Sequence, residues 1–135
     1  MVFKKGRLNL EEPQCLGRFD AALIYFPPNS QGARALLVLL PGGDGVIGLD
    51  NGGAVHQLGS NFLVRTMGQW VGQGFDVILP DAPDRASLLG RRHLPAYAEA
   101  IGKAIDFGRA RAALPVWLIG TSQGATAAVN GAAHL

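Results

Sequence analysis

Ser122 stands midway between two glycines in the run Gly120-Thr121-Ser122-Gln123-Gly124. A serine hydroxyl attacks a carbonyl only when it is held exposed beside donors that can take up the negative charge that develops. The G-x-S-x-G spacing serves both needs. The serine sits on a sharp strand-to-helix turn with strained backbone, and the residues two before and two after it pack together, so only small side chains fit there. The helix that follows turns its N-terminus toward the hydroxyl, and the free N–H of Gln123 can hold an oxyanion. The same five residues also spell an ordinary Gly/Ser turn in which Ser122 merely caps a helix, so their context decides between the two.

That context is a strand, Pro115 to Ile119 (PVWLI), before the turn and an alanine-rich segment, Ala125 to His134, after it. Earlier, the apolar run Ala35 to Leu40 ends abruptly on Pro41-Gly42-Gly43-Asp44-Gly45, and Phe75 to Leu79 ends on Pro80-Asp81-Ala82-Pro83. Taken together, from about Asp20 to Leu135, these segments and their order resemble the first part of the α/β-hydrolase fold, in which an oxyanion loop after one strand precedes a nucleophile elbow after another. The esterase and dienelactone-hydrolase branch is the nearest likeness.

The resemblance implies that Ser122 attacks an ester, thioester or lactone carbonyl of a small-molecule acyl substrate and forms an acyl-enzyme. It implies an oxyanion hole from the amide of Gln123 and that of Gly43 or Asp44, with Gly120 and Gly124 as the elbow glycines, and it requires no cofactor. Pro41 stands where many lipases and esterases carry histidine, but the group needed there is a backbone N–H. Gly-x-Ser-Gln-Gly is similar to the elbow of some carboxylesterases, thioesterases and sugar-ester deacetylases.

The family's triad runs Ser, then Asp or Glu, then His. No Asp or Glu follows Ser122. His134 is twelve residues on, roughly 18 Å away along a helix axis, and is not the base. The resemblance therefore implies that residues 1–135 are a single, incomplete hydrolase domain, truncated after the elbow helix, with acid and base beyond Leu135 and little turnover alone. His56 lies in the glycine-rich loop, His93 beside Arg91 and Arg92, and the three histidines have no metal-ligand spacing. Asp44, Asp50, Asp81 and Asp84 fall in loops after strands and read as turn or cap residues.

A second glycine motif, Gly43-Asp44-Gly45-Val46-Ile47-Gly48, follows a strand and matches G-x-G-x-x-G. A dinucleotide site also needs a helix opening at the third glycine and an acidic residue about 20 positions on. Gly48 leads instead into Leu49-Asp50-Asn51-Gly52-Gly53, and no acidic residue lies between Asp50 and Asp76.

The elements that must position these residues follow from apolar patterning. Asp20 to Phe26 reads as a strand, and the continuous runs at 35–40, 75–79 and 115–119 suit strands covered on both faces. A helix from Ser60 or Asn61 to Gln73 shows an apolar stripe of Phe62, Leu63, Met67, Trp70 and Val71, with Gly74 as its stop. A second helix opens at Pro95, with Leu94, Tyr97, Ala98, Ile101, Ala104 and Ile105 on one face and Arg109 and Arg111 at its end. In the elbow helix the small residues Ala127, Ala128, Ala132 and Ala133 suit close packing on a sheet. Alternating strands and helices give an α/β fold with a mainly parallel sheet flanked by helices.

Composition narrows the classes. Hydrophobic residues make up 48% and charged residues 16%, which excludes a disordered chain. Basic residues are scattered; the pairs Lys4-Lys5 and Arg91-Arg92 read as solvated surface charge, so no nucleic-acid partner is expected. Cys15 is alone. No run is long enough to span a bilayer and no signal-like segment is seen, so no membrane partner and, by default, a cytoplasmic location are expected. The strand at 115–119 would form an apolar sheet edge, which predicts poor solubility or a homodimer through it. The competing readings are a non-catalytic α/β protein that retains the fold and associates with itself or a partner and, third, a dinucleotide-binding domain.

Overall fold

A computed structural model describes residues 14–16, 19–21, 23–26, 32–50 and 53–135, the first two segments as backbone only. Lys4-Lys5 and the turn at 27–31 lie outside these residues. The strands are β1 (Gln14–Leu16), β2 (Phe19–Ala21), β3 (Leu23–Phe26), β4 (Leu36–Leu40), β5 (Asp76–Pro80) and β6 (Val116–Gly120); the helices are α1 (Phe62–Gly72), α2 (Pro95–Arg109) and α3 (Gln123–His134). The segment read as one strand from Asp20 is divided: β1 and β2 form an antiparallel hairpin, and β3 joins the main sheet.

The main sheet has the order β3-β5-β4-β6. β4 is parallel to both β5 and β6, with Val38 opposite Ile78 and Leu118, while β3 runs antiparallel to β5. The expected α/β fold is present, with a mixed sheet whose antiparallel member is β3.

The unbroken apolar run of β4 hides an alternation of period two. Leu36, Val38 and Leu40 face α2 and α3, packing with Ile78, Tyr97, Ile101, Ala104, Ile105 and Ala127. Leu37 and Leu39 face the other way, packing with Val77, Leu79, Ile47, Leu49 and the α1 residues Leu63, Val64 and Val71. β3, β4 and β5 are thus covered by neighbours and carry no polar stripe, whereas β6, expected to be covered likewise, lies at the sheet's edge with every residue at least partly exposed.

Asn61 caps α1, its Oδ1 accepting the Leu63 N–H at 3.1 Å, and Gly74 ends the turn after it at φ 87°. The buried face of α1 is Leu63, Val64, Thr66 and Val71. Phe62, assigned to that stripe from spacing, is instead 48% exposed; it occupies the first helical position, before the helix has turned onto the sheet. Leu94 is likewise exposed at the start of α2, while Tyr97, Ala98, Ile101, Ala104 and Ile105 are buried as their spacing predicts. In α3, Ala127 is buried, but Ala132 and Ala133 are exposed; the packed face uses Gly124, Asn130 and Gly131 instead.

Candidate active site

Three parallel strands, β4, β5 and β6, deliver their following loops to one edge of the sheet, the side where α/β proteins build sites. Among the described residues, the non-glycine positive φ values all fall in these loops: Leu58 after β4, Asp84 and Arg85 after β5, and Ser122 after β6. Backbone held in such regions costs about 1–3 kcal/mol per residue and persists only where its surroundings enforce it.

At Ser122 the surroundings are explicit. Its φ is 53° and ψ −125°, and although it occupies the N-cap position of α3 its side chain makes no capping bond. The amides of Gly124 and Ala125 turn back to the carbonyls of Thr121 and Ser122 at 2.8 and 3.0 Å, leaving that of Gln123 at the open start of the helix. A Cβ on Gly120 would overlap the Gly124 carbonyl, and one on Gly124 would overlap the Leu40 carbonyl at the end of β4. The two elbow glycines therefore let the turn close on itself and on the neighbouring strand. Ser122 and Gln123 are both exposed.

The loop after β4 meets this elbow through Gly42. A Cβ there would lie 3.1 Å from Ser122 Cβ, 3.1 Å from the Thr121 carbonyl oxygen and 3.6 Å from Ser122 Oγ. The two oxyanion candidates follow immediately. Gly43 is exposed at φ 62° and packs against Leu58. Asp44 is half-buried; its Oδ1 accepts the Val46 N–H at 3.0 Å and its carbonyl accepts the Leu88 N–H at 2.8 Å. The carboxylate of Asp44 is thus committed to shaping its own turn, as expected of a loop aspartate.

The rest of the glycine-rich loop is a built hairpin. Leu49 and Val55 bridge, and Gly48, at φ 64°, opens no helix; the next helix begins only at Phe62. Asp81, 3% exposed, anchors the hairpin to the end of β5. Its Oδ1 accepts from Ile47 and Ala82, both at 2.8 Å, and its Oδ2 from Leu49 at 2.9 Å. Asp50 accepts the Ala54 N–H at 2.8 Å through Oδ1 and faces His56 Nε2 at 2.8 Å through Oδ2. This His–Asp pair is solvent-accessible, with the His56 side chain 62% exposed. His134 Nδ1 lies 2.9 Å from the Asn130 carbonyl of its own helix. Asp84 lies exposed in the short turn Pro83–Arg85. No group of three or more potential metal ligands occurs among the described residues.

Arg92 corrects the sequence reading. Paired with Arg91 and followed by His93, it reads as surface charge, yet it is 3% exposed. Its Nη1 donates to the Gly43 carbonyl at 2.8 Å and its Nη2 to the Pro41 carbonyl at 3.0 Å. Asn130 of α3 donates through Nδ2 to the Arg92 and Leu94 carbonyls, at 2.8 and 2.9 Å. Burial lowers the Arg92 pKa from its usual value, with Tyr97 and Asp44 opposing the shift, but a guanidinium stays charged in a protein. Burial also pushes the Tyr97 hydroxyl up to about 12. No local pattern in the sequence betrays Arg92, because its partners are backbone carbonyls about fifty positions away.

Compared with known proteins, the chain matches no family model and no curated protein.

Proposed function

We propose that residues 1–135 carry the nucleophile and oxyanion half of an α/β-hydrolase-type serine hydrolase, acting on ester, thioester or lactone bonds through an acyl-enzyme on Ser122. The observation that carries this reading is Ser122 itself: a non-glycine residue held at φ 53° whose hydroxyl is not used to cap the helix behind it. A serine serving as a structural cap has extended backbone and points its oxygen at the helix N–H groups. Here the backbone is strained and the oxygen is uncommitted, with Gly42 beside it.

In the proposed chemistry, Oγ bonds to the substrate carbonyl carbon and the hydroxyl proton passes to a base. The carbonyl oxygen, now negative, is held by the Gln123 amide and by an amide of the loop after β4, that of Gly43 or Asp44. As the tetrahedral adduct collapses, the carbonyl reforms, the bond to the alcohol, thiol or lactone ring oxygen breaks and the base returns its proton to that leaving group; water then attacks the acyl-enzyme and frees the acid and Ser122. No cofactor is needed. We place the general base and its acid outside these residues; without them the chain acylates slowly and turns over poorly, since catalysis from the oxyanion hole and binding alone reaches only about 10³–10⁴-fold over water.

The test is covalent labelling with an uncharged p-nitrophenyl alkylphosphonate diester. Attack forms an Oγ–P bond and releases p-nitrophenolate, with the hydroxyl proton passing to water or a base. One adduct is expected, located at Ser122 by peptide mass spectrometry and missing from Ser122→Ala. Equal labelling of the two proteins would reject the nucleophile and favour a non-catalytic α/β protein.

The partner assigned to β6 is a second copy of this chain. Its Trp117 side chain is 63% exposed, beside Val129 and Leu135 at 70% and 63%. These residues border a groove of about 580 Å³ between β6, α2 and α3 that also carries Asp106 and Arg109. An exposed strand with apolar neighbours is a template for pairing.

A further inference from the structure

The loop that faces Ser122 is gripped from behind by a buried cation. Arg92 binds the carbonyls of Pro41 and Gly43, two of the three residues that precede Asp44. In a trans peptide the carbonyl and the next residue's N–H point in opposite directions. Bonding to the Pro41 and Gly43 oxygens therefore turns the amides of Gly42 and Asp44 away from the guanidinium. Gly42 is the residue whose open side meets Ser122 Cβ and Oγ.

The backbone of Arg92 is itself held by Asn130. Asn130 belongs to α3, the helix that starts at the elbow. One chain of hydrogen bonds thus runs from the nucleophile's helix, through Asn130 and Arg92, to the loop on the other side of the serine.

Resting on the hydrolase reading above, we propose that Arg92 is a positioning residue for the oxyanion hole: it fixes the Pro41–Gly42 and Gly43–Asp44 peptides with their amides turned away from it, holds the loop that carries Gly43 and Asp44 in place beside Ser122, and polarises both peptides. A carbonyl that accepts from a guanidinium loses electron density, which makes the N–H of the same peptide a stronger donor. Among the described residues no carboxylate is hydrogen-bonded to Arg92, although that of Asp44 lies near enough to oppose the effect of burial on it. Because the effect acts on charge that develops only in the transition state, it belongs to the rate of attack and not to ground-state binding.

The same phosphonate diester tests this in the full chain, since its phosphoryl oxygen gains charge during attack. Progress curves give the limiting rate kinact, the half-saturating concentration KI and the burst amplitude. Arg92→Gln is expected to lower kinact about tenfold, less than the loss of a direct oxyanion donor, with KI unchanged. Arg92→Lys, which keeps the charge but not the two-pronged grip, is expected to fall between the two.

A merely structural arginine would lower the burst amplitude and the melting temperature while the folded fraction reacted at the wild-type kinact; that result overturns the proposal. If Arg92→Gln gives no cooperative melt, Arg92→Lys decides by the same criterion. A wild-type protein that leaves Ser122 unlabelled rejects the hydrolase reading and this proposal together. A labelled wild type with variants at an equal rate rejects only the role of Arg92.

Discussion

Ser122 holds its position against its own backbone preference. The φ of 53° is tolerated by glycine and resisted by any residue with a Cβ. Ser122→Gly should therefore raise stability by about 1 kcal/mol relative to the native serine, the strain relieved outweighing the added freedom of the unfolded chain. Ser122→Ala keeps the Cβ and should bring no such gain. Urea denaturation of the three proteins measures the difference, and a glycine variant no more stable than the alanine variant would show that the elbow stores no strain. Both substitutions remove the proposed nucleophile, so a gain in stability coupled to loss of labelling would mark a residue selected for position over comfort.

At the scale of elements, the loops after the parallel strands are ordered by buried side chains that grip backbone. Asp81 holds the hairpin after β4 through the amides of Ile47 and Leu49. Asp81→Ala leaves these and the Ala82 amide without their acceptor, which should cost about 3 kcal/mol or more. Hydrogen exchange at Ile47 and Leu49 should accelerate well before global unfolding; amides that keep their protection would show that the hairpin stands without Asp81.

These anchors mark where the sequence stops being legible. The strands and helices could be read from apolar runs and 3.6-residue stripes because burial imposes a local period. The tight turn between β6 and α3 could be read because glycine is the one residue that fits at Gly120 and Gly124. Asp81 and Arg92 could not be assigned their roles, since a side chain bonded to a distant backbone group leaves no period. The direction of β3 was equally hidden: Leu23–Phe26 is apolar on every residue, and such a run is compatible with either orientation. Nothing in the glycine-rich string distinguishes Gly42 from Gly43 or Asp44, and only the packing of Ser122 singles it out.

For the whole molecule, the asymmetry between the sheet's two faces and its β6 edge governs association. Both faces are closed by helices, whereas every residue from Val116 to Gly120 is at least partly exposed. Among the described residues no helix is long and apolar enough to cross a membrane; the homodimer proposed above would use this exposed apolar edge. Trp117→Lys places a charge on the strand, a device by which natural sheets block edge pairing. Sedimentation equilibrium should show a dimer for the wild type and about tenfold weaker association for the variant, the order expected when one aromatic anchor is removed. A wild-type protein that stays monomeric at tens of micromolar would exclude this edge as an interface.

The place of β4 at the middle of the sheet also sets the order in which the molecule can be assembled. Its neighbours β5 and β6 come from progressively later parts of the chain, at Asp76 and Val116. Two successive loop closures of increasing span must precede the full sheet, so its pairing is of the slow, long-range kind. The close approach of Gly124 to the end of β4, beside Ser122, exists only after the second closure. A chain leaving the ribosome can thus complete the β4–β5 pair while its serine is still an ordinary residue in a relaxed segment. On the hydrolase reading, Ser122 would be activated only by this docking step; until then it is a serine like any other, too weak a nucleophile to be acylated prematurely.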